Sequence, residues 1–483
     1  MSSPAALITS PLLQEESGGE RGWWWVTTDN KEEAKNQIWF ALPMILTNTS
    51  FYFITLVSVM FVGHLGELPL AAANLANSWA SVSGLSFMVG LSGALETLCG
   101  QGYGAKLYRM MGIYLQTACI ISFLSSVIIS AVWWFSEHIL VLLQQDPEIA
   151  KLSGLYLKFF IPGLFAYGFL QNLLRFMQTQ RVVLPLVMSS IVPLTIQVGL
   201  TYVLVRFTSL GFAGAPLAAS ISLWLSFLML AGYVLFSVKF KNTWEGFSSE
   251  SFSYFFVTMR LALPSAAMVC MEYWAFELLV LLAGIMPNSE ITTSLIGMCV
   301  NTEAIAYMIA YGLNATASTR VSNELGAGRP ERAKQAVAVT FMLCILLATA
   351  TALSLVFGHN VWAGLFSDSA VVISNFGSMA PLLVISFLFD FFQGILSAVA
   401  RGCGWQHLAV GINLGSFYFI GMPIAAVLAF KFKLYVKGLW IGLICGLASQ
   451  SSGLLLLSIF RKWDRVEIST MPEKDNNKAA LLT

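Results

Sequence analysis

The sequence predicts an all-α membrane protein with twelve transmembrane helices in two pseudo-symmetric halves of six. Three observations point there: a composition unsuited to water, twelve apolar segments of bilayer length, and motifs in the first half that return in the second. Of the 483 residues, 57% are apolar and 11% are charged, and the mean hydropathy is +0.74. A soluble domain carries about 25% charged residues. The alternative solvent is lipid, which apolar helices of about 20 residues span. A net charge of +1, with no basic block, gives no reason to expect a nucleic-acid partner. The seven cysteines form no CxxC pair and mostly lie in or beside apolar runs. They read as small buried hydrophobes, not as a disulfide or metal framework. The N-terminal stretch carries Gln14, Glu15, Glu16 and Glu20 where a cleavable signal peptide would carry basic residues and a short apolar core, so none is expected.

Windowed hydropathy places spans at 36–62, 70–98, 111–135, 151–176, 182–205, 213–238, 256–284, 290–316, 333–357, 375–398, 407–430 and 438–461. The chain then divides into a polar N-terminal tail (1–35), a first half (36–238), a connecting loop (239–255), a second half (256–461) and a polar C-terminal tail (462–483). Both tails are expected to be mobile. The loop is the longest polar-leaning interruption, with Lys241, Asn242, Glu245 and Gly246 beside a serine cluster. Basic residues orient the chain. With the N-terminus in the cytosol, all but six of the 26 (Lys151, Lys158, Arg206, Lys431, Lys433 and Lys437) fall on the cytosolic side. An even number of spans returns the C-terminus to that side.

The halves repeat each other. Ala41-Leu-Pro43 opens the first span and Ala262-Leu-Pro264 the seventh, 221 positions on. Gln101-Gly-Tyr-Gly-Ala105 follows the second span and Asn323-Glu-Leu-Gly-Ala327 the eighth, 222 positions on. Pro162 in the fourth span matches Pro381 in the tenth, and Arg175 to Gln180 matches Arg401 to Gln406, at offsets of 219 and 226. Six spans per half make the two copies cross the membrane in the same sense. Parallel repeats meeting around a midplane site are a transporter architecture. The matched prolines free backbone carbonyls and permit bending, which suits moving helices; a static kink fits them equally well.

Several motifs resemble those of multidrug and toxic compound extrusion (MATE) transporters. In the first half they are Val62-Gly-His-Leu-Gly-Glu-Leu-Pro-Leu-Ala-Ala-Ala73 and Glu96-Thr-Leu-Cys-Gly-Gln-Gly-Tyr-Gly-Ala105. In the second half they are Arg320-Val-Ser-Asn-Glu-Leu-Gly-Ala-Gly328 and Arg401-Gly-Cys-Gly-Trp-Gln406. Met271-Glu-Tyr-Trp-Ala-Phe-Glu277 is similar to the plant detoxification branch. The resemblance covers about residues 36–461. It implies the MATE fold, two six-helix lobes around a central cleft, and proton-coupled antiport of organic solutes with no cofactor.

An ionisable side chain at bilayer depth is costly and marks a functional site by default. Four stand out, all in the second half: Glu272 and Glu277 in the seventh span, Glu303 in the eighth and Asp390 in the tenth. The repeat counterparts of three of them are neutral: Phe51 for Glu272, Leu56 for Glu277 and Gln171 for Asp390. This asymmetry locates ion coupling in the C-terminal half. Carboxylates suit the task because a low-dielectric cavity and a neighbouring carboxylate bring their titration towards physiological pH. Protonation then weakens the attraction for a cationic solute and biases the lobe towards another packing. Glu272 and Glu277 are about 140° apart round a helix, so they do not both face one cavity squarely. The resemblance favours Glu272 with Asp390 as the proton or cation pair, ahead of Glu277 and Glu303. The first span, Ala41 to Val62, holds no acid, against the N-lobe aspartate that some family members use.

Tyr307 and Tyr311 follow Glu303 on one face of the eighth span. With Tyr273, Trp274, Phe276, Phe387 and Phe391 they can line a site for flat or cationic solutes, although plain aromatic packing explains each singly. Tyr307, Tyr273 and Asn301 are the candidate substrate contacts. Near the inner end of the fourth span, Asn172 and Arg175 can gate or pair with Gln180, but Arg175 is expected to snorkel at the interface. An enzyme is not expected: DDxxD, GxGD and HExxH are absent, and without GxxxxGK[ST] the energy must come from an ion gradient. The four histidines fall near predicted loops, which argues against a haem or copper centre within the bundle. Two close alternatives are a sodium-coupled antiporter and a lipid-linked flippase, the latter calling for a larger, cationic cavity. Expected partners are protons, the lipid bilayer and small organic solutes (cations, alkaloids or flavonoids, with organic acids ranked lower). The chain is expected to act as a monomer in the plasma or vacuolar membrane.

Overall fold

Lipid offers backbone N–H and C=O groups no water, so a chain that crosses it must satisfy them internally, and this sequence does so with helices. The computed structural model describes residues 28–287, 289–365 and 370–464. Among them are twelve helices of membrane-spanning length and composition: α1 (Asn30–Gly63), α2 (Glu67–Gly104), α3 (Tyr108–Trp134), α4 (Pro147–Thr179), α5 (Leu184–Arg206), α6 (Gly211–Phe236), α7 (Phe255–Gly284), α8 (Thr292–Gly326), α9 (Pro330–Gly364), α10 (Val372–Cys403), α11 (Gln406–Lys431) and α12 (Tyr435–Phe460). The end of the bundle where α1 begins and α12 finishes is the inner end, the one that the basic residues assign to the cytosol.

Several helices outrun the expected spans. The 38 residues of α2 rise about 57 Å at 1.5 Å per residue, against about 30 Å of hydrocarbon. Hydropathy detects only the apolar middle of such a helix. α1 is accordingly already helical at Asn30, ahead of residue 36. Its polar first turns, expected in the tail, are held by the second half: Glu33 accepts from Arg320 Nε at 2.7 Å and Nη2 at 2.8 Å. Gln37 adds a bond to the Ala336 carbonyl at 3.0 Å. The remaining tail residues, 1–27 and 465–483, and with them most of the expected mobility, lie outside the described residues. The connecting loop also has structure. Gln116 of α3 donates to the Gly246 carbonyl at 2.7 Å and accepts from the Ser248 amide at 2.8 Å, while Arg109 reaches Glu250 at 2.9 Å.

Each half builds its own apolar core. Trp133 stacks on Phe160 in the first; Phe376, Phe387, Phe391, Phe417 and Trp440 fill the second. The halves are therefore two six-helix lobes. All seven cysteines are free, five of them buried.

The lobes meet at mid-depth, at the inner end and, between α2 and α7, nearer the outer end. At mid-depth Asn48 of α1 donates to the Met308 sulfur of α8 at 2.9 Å. Further in, α2 and α8 cross with their backbones in contact. A Cβ on Gly104 would overlap the Asn323 carbonyl oxygen, and one on Gly326 would overlap the Gln101 carbonyl oxygen. Gly104 and Gly326 are repeat counterparts, as are Gln101 and Asn323, so the contact is reciprocal about the pseudo-twofold axis. Only glycine lets two backbones approach this closely. Gly326→Ala is expected to wedge the inner ends apart at a cost of about 1–3 kcal/mol, typical of overpacking. A lower thermal midpoint in detergent would register it; an unchanged midpoint would show that the crossing relaxes freely.

Candidate functional site

Three of the four carboxylates gather in the second lobe. Asp390 and Gln393 lie three residues apart on α10, and Glu272 faces them from α7. The Gln393 amide nitrogen donates to Glu272 Oε1 at 2.8 Å and to Asp390 Oδ1 at 3.0 Å. Its own carbonyl oxygen accepts from Ser397 at 3.0 Å, which fixes the amide's orientation. Asp390 and Gln393 are 2% and 1% exposed while Glu272 is half-buried, so the bridge runs from the lobe's interior towards its surface.

Glu303 of α8, also buried, belongs to the same region. Its Oε2 accepts from Ser386 of α10 at 2.6 Å, and Trp440 Nε1 of α12 donates to that hydroxyl at 3.2 Å. Glu303 Oε1 is buried with no hydrogen-bond partner among the described residues. A buried oxygen without a partner is expensive unless a proton or ligand meets it. Ser386 stands one turn before Asp390 on α10, which sets Glu303 beside the bridge.

Glu277 stands apart, as its helical spacing requires. It faces the other lobe, where Ser78 of α2 approaches Oε1 at 3.5 Å. Beside it Trp274 donates to the Val82 carbonyl at 3.0 Å.

The aromatic residues divide. Phe387 and Phe391 stack at 6.4 Å and are 1% exposed, so they are core rather than lining. Tyr273 and Trp274 stay partly exposed. Tyr307 packs edge-on against Tyr311 at 6.4 Å, and Tyr311 lies 5.6 Å beneath the Arg175 guanidinium of the opposite lobe. Asn301 is exposed, two turns outward of Met308 on the same face of α8, and thus looks towards the first lobe. Tyr307 lies about 120° round the helix from it.

Arg175 does not snorkel. It is 4% exposed, and its Nη1 pairs with Glu96 Oε1 of α2 at 2.8 Å. It also donates to Gln178 at 3.0 Å, not to Gln180, which accepts from Thr243. Asn172 bonds to Ser122 at 2.9 Å and takes no part. Glu96 has a second cation, Arg401 Nε of α10, at 3.0 Å, and accepts from the Ser318 hydroxyl of α8. Glu96 and Arg401 carry no mark in the sequence beyond their motifs, because both sit near span ends where a charge reaches water at little cost. The available signal was the repeat itself, which pairs Arg175 with Arg401.

Comparisons with known proteins agree with this architecture. The MatE family model matches twice, over residues 43–203 and 264–427, once in each lobe. Protein DETOXIFICATION 18 of Arabidopsis thaliana is 57% identical over 440 residues, covering 91% of this chain and 94% of that protein. Protein DETOXIFICATION 16 of the same plant is 48% identical over 436 residues, covering 90% and 89%. The crystal structure of the eukaryotic MATE transporter AtDTX14 superposes with a TM-score of 0.87 at 39% identity, covering 93% of this chain and 98% of that one. An outward-facing multidrug resistance MATE transporter shares the fold, with a TM-score of 0.79 at 16% identity over 88% and 95% of the two chains. With both lobes matched and relatives of this similarity along most of its length, the chain belongs to the MatE family of multidrug and toxin efflux transporters, an integral multi-pass membrane transporter and not an enzyme.

Proposed function

We propose that the chain exports organic solutes in exchange for protons by alternating access, with Glu272 and Asp390 of the second lobe as the coupling pair. The bridge through Gln393 carries this reading. One amide nitrogen donates to both carboxylates, which holds two acids together in a largely apolar lobe. Two carboxylates this close repel when both are charged, and a proton on either relieves the repulsion. Loading the pair from the acidic side thus favours one packing of α7 against α10, and releasing it favours another. Glu303, with its unpartnered oxygen, is a third proton or cation ligand at the same end of the lobe. Glu277 is a secondary position facing the lobe interface. Asn301, Tyr307 and Tyr273 border the cleft as solute contacts, and their exposure or aromatic character suits flat, cationic solutes such as alkaloids. The detoxification names of the relatives support export of foreign compounds.

The test is the protein reconstituted in liposomes with a fluorescent organic cation, under an imposed pH gradient and separately under a sodium gradient. Efflux that follows the pH gradient and ignores sodium is expected. Efflux driven by sodium alone would replace the proton with sodium at the same carboxylates.

A further inference from the structure

Glu96 is bound by residues related to one another, and to itself, by the internal repeat. Arg175 and Arg401 are counterparts, one from each lobe. The counterpart of Glu96, 222 positions on, is Ser318, the residue that donates to it. A fully symmetric interface would hold two carboxylates and two guanidiniums; serine at position 318 leaves a single carboxylate shared by both arginines. Neighbouring bonds also run from lobe to lobe. Thr97 donates to the Arg401 carbonyl, and Gln406 Nε2 to Thr97 at 2.7 Å. Gln101 donates to the Gly402 carbonyl at 3.0 Å, and Gln178 to Ala315 at 3.1 Å and Thr319 at 3.2 Å. All lie towards the inner ends of α2, α4, α8, α10 and α11.

We propose that Glu96 is the hub of an ionic lock that holds the inner ends of the two lobes closed and must release Arg401 and Ser318 before the transporter opens inward. The assignment does not depend on which ion drives transport. The bond to Arg175 stays within the first lobe and serves to orient Glu96; the bonds to Arg401 and Ser318 cross the interface. Loss of either crossing partner leaves the pivot in place and weakens the closure. Glu96 is thus a positioning residue for the transport cycle and touches no solute.

The experiment uses the full-length protein in membrane vesicles of defined orientation, labelled with a membrane-impermeant maleimide and read at single positions by mass spectrometry. Asn323→Cys reports the inner side, because Asn323 is 5% exposed and donates across the interface to the Thr179 carbonyl at 3.2 Å. Asn301→Cys reports the outer side. In Glu96→Gln, labelling at position 323 from the inside is expected to rise about tenfold while labelling at 301 from the outside falls, as alternating access demands. A rise at both positions would mean loosened packing and would overturn the lock, as would unchanged rates at both. If Glu96→Gln does not fold, Arg401→Gln severs only the crossing limb and keeps the Glu96–Arg175 pair; the same reciprocal change is expected, and its absence overturns the proposal.

Discussion

Asp390→Asn is expected to abolish proton-driven efflux while leaving a folded transporter. Asparagine keeps an oxygen where the Gln393 amide donates, so the contact at 3.0 Å has an acceptor in either case. What is lost is the proton. Without it the pair has one charge state fewer, and the packing of α10 against α7 no longer responds to the pH on either side. Efflux under a pH gradient should fall roughly 100-fold, equivalent to about 2.8 kcal/mol at 1.4 kcal/mol per factor of ten. Binding of the organic cation at equilibrium, measured without a gradient, should survive because Glu272 and the aromatic residues remain. Undiminished gradient-driven efflux in this variant would remove Asp390 from the coupling step and move attention to Glu272 and Glu303.

The second large effect concerns stability. Arg175→Met keeps an unbranched apolar stem but removes the guanidinium from Glu96, Gln178 and the face of Tyr311. Removing one partner of a buried ion pair typically costs about 3–5 kcal/mol, because the other charge is left under-compensated in low dielectric. Arg401 and Ser318 still hold Glu96, which places the expected loss at the lower end of that range. The measurement is the thermal midpoint in detergent, expected to fall by several degrees. Arg175→Lys should recover only part of it, since an ammonium cannot reproduce the planar contact with Tyr311. A midpoint unchanged in Arg175→Met would show that solvent or lipid headgroups reach this end of α4 after all.

The contrast between Asp390 and Arg175 shows where sequence reading works. Asp390 lies in the middle of an apolar run, so its cost is legible along the chain: no helix end is near enough to bring water. Glu272 and Glu303 are legible for the same reason, and the neutral counterparts in the first half single out the second lobe. Arg175 lies near the end of the fourth span, where linear hydropathy assigns water. Whether water is there depends on what covers that end, and α2 and α8 cover it. Gln393 escaped notice because a neutral glutamine in a span costs little and carries no mark; its role exists only between α7 and α10.

The chain alone determined that the protein is a twelve-span transporter of repeated halves, with its isolated carboxylates in the second. Hydropathy, repeat spacing and charge at bilayer depth are properties of position along one helix axis, and they are written in the order of residues. Tertiary structure alone decided which carboxylates share a bridge, which aromatic rings are core, and that Glu96 joins the lobes through arginines 175 and 401. Those are contacts between helices far apart in sequence, fixed by rotation and crossing of packed cylinders, and no single segment encodes them.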